Sequence, residues 1–245
     1  MMARPASVWF FSLSAFLLLA AVTAPVLYVL ATVSPLEAAT AFSAPAAAEA
    51  VRVSLVASLA ATAVASFLGI PAGYWLARLP ARAGAPLLFL LALPLAFPPV
   101  ASGIMLLSLV RFTPLPDTLA GVALAEFFVS GSFVAVASAA AFSMRDPVYE
   151  EAARTLGVSE WRIFREVALP ACAPSIAAGI AFAWLRAIGE YGATSIVAYH
   201  PTSLPVALYV ALSASGVRAS LALTYGFVVL ASGVLAAAWV LRRRV

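Results

Sequence analysis

The 245-residue chain has no lysine, no asparagine and no glutamine, and it holds a single histidine and a single cysteine. Each absence removes a chemistry. Without lysine there is no P-loop lysine to grip a nucleotide phosphate and no amine for a Schiff base. His200 and Cys172 alone cannot supply a metal site of several His or Cys ligands within one chain, so no metal site is expected. Cys172 has no partner for an internal disulfide and reads as a small buried apolar residue. Without asparagine there is no N-glycosylation acceptor. Charge is scarce too: charged residues make up 10 % of the chain, against about 25 % in an average globular domain.

What is abundant is apolar. Hydrophobic residues form 64 % of the chain, and the mean hydropathy is +1.06. A soluble domain of this composition would expose large apolar patches and aggregate. Composition therefore excludes a soluble enzyme, a disordered chain and a disulfide scaffold, and leaves an all-α polytopic membrane protein. The net charge of +4 does not call for nucleic acid, because basic residues of membrane proteins gather in cytoplasmic loops.

A membrane-crossing helix needs about 20 mainly apolar residues. Six segments qualify: 8–33, 53–76, 86–110, 119–142, 175–198 and 219–241. Between them stand turn and charge signals such as Ser34-Pro35, Arg145-Asp146-Pro147 and His200-Pro201. The first run is too long for a signal-peptide core and is expected to stay as an uncleaved helix. With the N-terminus inside, ten arginines face the cytoplasm: Arg4, Arg78, Arg82, Arg145, Arg154, Arg162, Arg165, Arg242, Arg243 and Arg244. Arg52, Arg111 and Arg218 face outward, and Arg186 falls inside a span. This bias predicts cytoplasmic termini. Residues 1–245 read as one transmembrane domain, with no internal repeat.

The cytoplasmic connection 144–174 spells two short helices. Asp146 is placed to cap the first, with Pro147 at its first position and Gly157 ending it in a left-handed conformation. Ser159 is placed to cap the second, and Pro170 to limit it. Trp161, Phe164 and Ala168 share one face of that helix, opposite Glu160, Arg162, Arg165 and Glu166. A solvated connector and a docking element for a cytoplasmic partner both fit this pattern.

The loop reads Glu151-Ala152-Ala153, three residues, Gly157, nine residues, Val167, Ala168, Leu169-Pro170. It resembles the cytoplasmic signature of ATP-binding-cassette importer permeases, and departs from it only in Val167 for isoleucine. The resemblance implies a coupling helix, formed around Glu151, Ala152, Ala153, Gly157, Leu169 and Pro170, that enters a cleft on an ATPase subunit. It further implies a homodimer with two ATPase subunits and an external substrate-binding protein. The chain would then not be an enzyme alone, with no cofactor of its own and with ATP and Mg on the partner ATPase. A multi-pass place in the cell membrane follows. Segments 69–78, 93–103, 186–194 and 196–205 are similar to the molybdate, tungstate and sulfate branch, and most to archaeal tungstate and molybdate permeases.

Candidate pathway or gate residues follow from the same segments. Pro98 and Pro99 remove backbone donors inside a span, and Ser102 and Gly103 follow at once. Arg186 and Glu190, four residues apart on one helix face, are a charged pair near the middle of a span, with Gly189 and Gly192 beside them. Packing roles, a locking ion pair and contact with a passing oxyanion all remain open for these residues. Glu126 is placed in the outer part of span four, reaching the interface or pairing with another helix, and His200 lies in an outer loop. Alternatives to a molybdate or tungstate permease are a sulfate or other-substrate permease, or a secondary transporter driven by an ion gradient. An intramembrane hydrolase would need a nucleophile beside a base, and the single His200 lies outside the spans.

Overall fold

The computed structural model describes residues 6–242. Arg4, Arg243 and Arg244, all counted in the charge bias, lie outside the described residues. Among the described residues every regular element is helical. The chain runs α1 (Ala6–Thr32), α2 (Pro35–Ser43), α3 (Pro45–Leu76), α4 (Ala81–Ala96), α5 (Pro99–Val110) and α6 (Leu119–Ser143). It continues with α7 (Val148–Thr155), α8 (Glu160–Ile163), a π-helical turn (Phe164–Ala168), α9 (Leu169–Ile188), α10 (Thr194–Val197) and α11 (Leu204–Arg242). Five helical stretches are long and apolar enough to cross a membrane, and a sixth crossing exists if the bent pair α4 and α5 is taken as one.

The trunk is α3, α6 and α9, with α3 and α6 in the most extensive contact. Small residues make that possible: Ala57, Ala61, Ala65 and Gly69 of α3 and Gly121, Ala125, Ala135 and Ala139 of α6 are buried. Without a solvent-driven hydrophobic force between helices in lipid, close van der Waals packing of such residues replaces it. At the periphery, α1 leaves nearly all of its described side chains exposed.

Several spans differ from their expected bounds. α3 begins at Pro45, before the apolar run, because a proline at the first helical position is favourable. Residues 35–43, expected as loop, form α2 through a capping box: Ser34 Oγ accepts the Glu37 N–H at 3.1 Å and Glu37 Oε2 accepts the Ser34 N–H at 2.8 Å. These bonds hold the Glu37 carboxyl below the usual carboxylate range. The expected helix 219–241 is instead the far part of α11, which starts at Leu204 and turns at Gly216, where φ is 80°.

The third expected span is not one helix. Phe97 and Pro98 each precede a proline and take extended ψ values of 141° and 135°, as a following pyrrolidine ring demands. α4 and α5 therefore meet at 106°. The fifth expected span, 175–198, also breaks. α9 ends at Ile188, and the chain turns through residues 189–193 before the short α10. Its start is longer than expected, since α8, the π turn and α9 run on as one stretch. Pro170 does not limit that stretch. The π turn just before it, closed by Leu169 N–H donating to the Phe164 carbonyl, widens the helix where proline would otherwise crowd the preceding carbonyls.

Candidate functional site: a capped connecting loop and two facing helix breaks

The loop 144–174 is well formed locally. Asp146 Oδ1 accepts the Val148 N–H at 3.1 Å, so Asp146 caps α7 from one residue further out than its spacing implied. Gly157 has φ 76°, as expected. Val158 N–H donates to the Ala153 carbonyl at 3.1 Å and Gly157 N–H to the Arg154 carbonyl at 2.9 Å. That pair of bonds is a Schellman closure, which needs a left-handed residue at its turn and favours glycine there. Ser159 stands at the cap of α8, yet its hydroxyl makes no capping bond; its carbonyl accepts the Arg162 and Ile163 N–H groups instead.

α7 buries none of its residues. Its exposed surface includes Glu151 and Ala152, with Ala153 half-buried. The expected apolar face of the next helix holds only in part. Phe164 and Ala168 are buried, whereas Trp161 is 64 % exposed and only leans on Phe164 at 5.5 Å between ring centroids. Glu160, Arg162, Arg165 and Glu166 are exposed, and Arg162 pairs with Glu166 at 3.0 Å. Leu169 and Pro170 belong to the first turn of α9, not to a loop.

The second region is built from the two breaks. A Cβ placed on Gly103 would lie 2.9 Å from the Ala193 Cα and 2.9 Å from the Ile196 Cβ. One placed on Gly192 would lie 2.7 Å from the Pro99 Cβ. The α4–α5 bend and the α9–α10 break therefore interlock backbone to backbone, and four of the candidate residues, Pro99, Gly103, Gly192 and Glu190, lie in one neighbourhood. Ser102 is fully buried with its hydroxyl unpartnered among the described residues, as is Thr194 of α10. Pro98 stays at the bend's exposed side.

Arg186 and Glu190 do pair, with Nη1 to Oε2 at 2.5 Å. They sit across the end of α9 and not along an unbroken span. Glu190 is 1 % exposed at its side chain and Arg186 31 %. The other Glu190 oxygen accepts the Ala193 N–H at 2.7 Å, so this carboxylate ties the end of α9 to the start of α10. Composition windows miss the break because Gly189, Glu190, Tyr191 and Gly192 interrupt an otherwise apolar run by only a few residues. Gly-Glu-Tyr-Gly is the signal that could have located it.

Glu126 does not reach the membrane interface. It is fully buried in α6, and neither carboxylate oxygen has a hydrogen-bond partner among the described residues. His200 is placed in a loop clasped by Asp117, whose Oδ1 accepts the Tyr199 N–H at 2.9 Å and the His200 N–H at 3.3 Å. Among the described residues no group of three or more metal-binding side chains occurs.

Residues 69–242 match the family of binding-protein-dependent transport system inner membrane components. The chain belongs to this family. That makes it a multi-pass membrane permease of the ATP-binding-cassette importer class. Similar proteins include a probable molybdenum ABC transporter permease of Haloferax volcanii, 38 % identical over 74 % of this chain and 71 % of that protein. A molybdate/tungstate transport system permease of Thermococcus kodakarensis is 39 % identical over 70 % of this chain and 69 % of that protein. A sulfate transport system permease of Escherichia coli matches less of the permease, at 34 % identity over 44 % of each chain. The fold agrees with that of a solved bacterial ABC transporter involved in the import of the polysaccharide alginate. The TM-score is 0.68 at 16 % identity, over 97 % of this chain and 95 % of that one.

Proposed function

We propose that this permease carries a tetrahedral oxyanion, molybdate or tungstate, across the cell membrane with both termini cytoplasmic. In this reading two copies assemble with two ATPase subunits, which hold the ATP and Mg, and receive their cargo from an external binding protein. The observation that carries the substrate is the pair of relatives named for molybdenum and for molybdate/tungstate, similar over about 70 % of the chain. The exposed α7 with its Gly157 closure supports docking of the ATPase by Glu151, Ala152 and Ala153, with Leu169 and Pro170 beginning the helix that leads back into the membrane. The interlocked breaks support a gate at Pro98, Pro99, Ser102, Gly103, Glu190 and Gly192. Arg186 serves there as the counter-charge of Glu190, a structural or gating role in preference to direct contact with the anion.

The test is uptake into vesicles holding the permease, its ATPase and its binding protein, with tungstate, molybdate and sulfate in competition. ATP-dependent uptake of tungstate or molybdate, unaffected by excess sulfate, supports the proposal. Sulfate uptake that outcompetes both would move the chain to the sulfate branch. Uptake that needs an ion gradient and no ATP would refute the importer reading.

A further inference from the structure

Since α7 contributes no buried residue, apolar packing does not fasten it to the membrane helices. Charge does. Arg78 lies just beyond the end of α3 and forms an ion pair with Glu150 of α7. The same guanidinium donates to the Tyr74 carbonyl at 2.7 Å and lies over the Tyr74 ring, 3.1 Å from its centroid. That ring meets Phe142 of α6 at 5.2 Å and Phe164 of the π turn at 4.8 Å, both edge-on. Phe142 and Phe164 share a buried cluster with Cys172 and Ile176 of α9. One side chain thus joins α7 to the cytoplasmic ends of all three trunk helices.

The neighbouring ion pairs are poorer links. Arg154 of α7 also pairs with Glu150 at 3.4 Å and with Glu160 of α8 at 2.5 Å. The first pair lies within α7, and Glu160 is 61 % exposed, where ion pairs contribute little. Arg78 and Glu150 are 28 % and 14 % exposed, and the aromatic face adds a second attraction that strengthens as water is excluded. The backbone joins α7 to its neighbours through the turn at 144–147 and the closure at Gly157. The Arg78 contact adds a direct side-chain route from α7 to the trunk.

We propose that Arg78 is a positioning residue that transmits movement of α7 to the membrane helices through Tyr74, with Glu150 as its grip on α7. This rests on the importer reading above, and neither residue lies in the Glu151–Pro170 signature. Lysine is not equivalent to Arg78, because only a guanidinium stacks by its face while donating from its edge.

The experiment uses the reconstituted complex of permease, ATPase and binding protein in vesicles. It reads three quantities: ATPase retained on purification, ATP hydrolysed, and oxyanion delivered. The variants are Arg78→Met, Arg78→Lys, Glu150→Gln, and Arg78→Met with Glu150→Gln. ATPase retention is expected to stay at the wild-type level. Oxyanion delivered per ATP is expected to fall about fivefold or more in Arg78→Met and Glu150→Gln, the low end of couplings between sites. The double variant should be no worse than Arg78→Met, because both changes cut the same link, and Arg78→Lys should keep part of the ratio. A wild-type ratio in both single variants, or losses that multiply in the double, would overturn the proposal. So would loss of ATPase in Glu150→Gln alone, which would place Glu150 on the partner and not on Arg78. If the wild-type permease itself retains no ATPase, the importer reading fails and this link with it.

Discussion

At the scale of single residues, the membrane charges decide most. Glu190 combines an ion pair with a backbone bond from Ala193, so its removal frees two groups at once. Removing one partner of a buried pair costs about 3–5 kcal/mol, and the 31 % exposure of Arg186 puts this pair toward the lower end. Glu190→Ala is expected to destabilise the purified permease by about 3 kcal/mol on that reasoning. Adding Arg186→Ala should recover part of the loss, because no unpaired guanidinium remains. Thermal unfolding of the two single variants and the double in detergent measures it; strictly additive losses would contradict the pairing. Glu126 presents the opposite case. Its carboxyl oxygens have no partner to lose among the described residues, so Glu126→Gln should change stability by less than about 1 kcal/mol, measured in the same way.

At the scale of elements, two turns separate what each helix does. Gly157 at φ 76° has open space around its Cβ position, so the objection to a side chain there is conformational and not steric. A β-branched residue strongly disfavours that backbone. Gly157→Val is expected to leave the membrane helices inserted while redirecting α7. ATPase retained on the purified permease should then drop severalfold, and normal retention with normal uptake would show that α7 is not the coupling element. Gly157 was legible because its closure is local: the residues that make it lie within six positions. The trunk helix α6 was legible for the same reason, as an unbroken apolar run. The breaks were not. Pro98 and Pro99 bias Phe97 and Pro98 to extended backbone, but an apolar run of span length hides the break, and the Gly192 and Ala193 that face it lie about ninety positions away. The exposure of Trp161 was equally hidden, since helical spacing gives a face but not what covers it. The linkage through Arg78 depends on a contact 72 residues apart in sequence, which no local pattern contains.

At the scale of the whole molecule, the arginine distribution and the helix order make one claim. Arg78, Arg145, Arg154, Arg162 and Arg165 cluster around α7 and its neighbours, which the positive-inside rule assigns to the cytoplasm. Reporter fusions after Leu156 and after Val245 should both report cytoplasm, and an external signal at either site would invert or break the topology. The bend between α4 and α5 has a consequence of another kind. Pro98 and Pro99 have no N–H, so the carbonyls of Pro94 and Leu95 lack the amides that would meet them in a continuous helix. Such carbonyls persist at membrane depth only beside protein donors or water. Where water rather than protein meets them, the dry section of the bilayer would be shorter and the membrane voltage would drop across a thinner slab. A doubly charged anion does electrical work of about 4.6 kcal/mol per 100 mV, twice that of a single charge. If the gate proposed above lies there, that work would fall in one short step where the bend meets the Gly192 break.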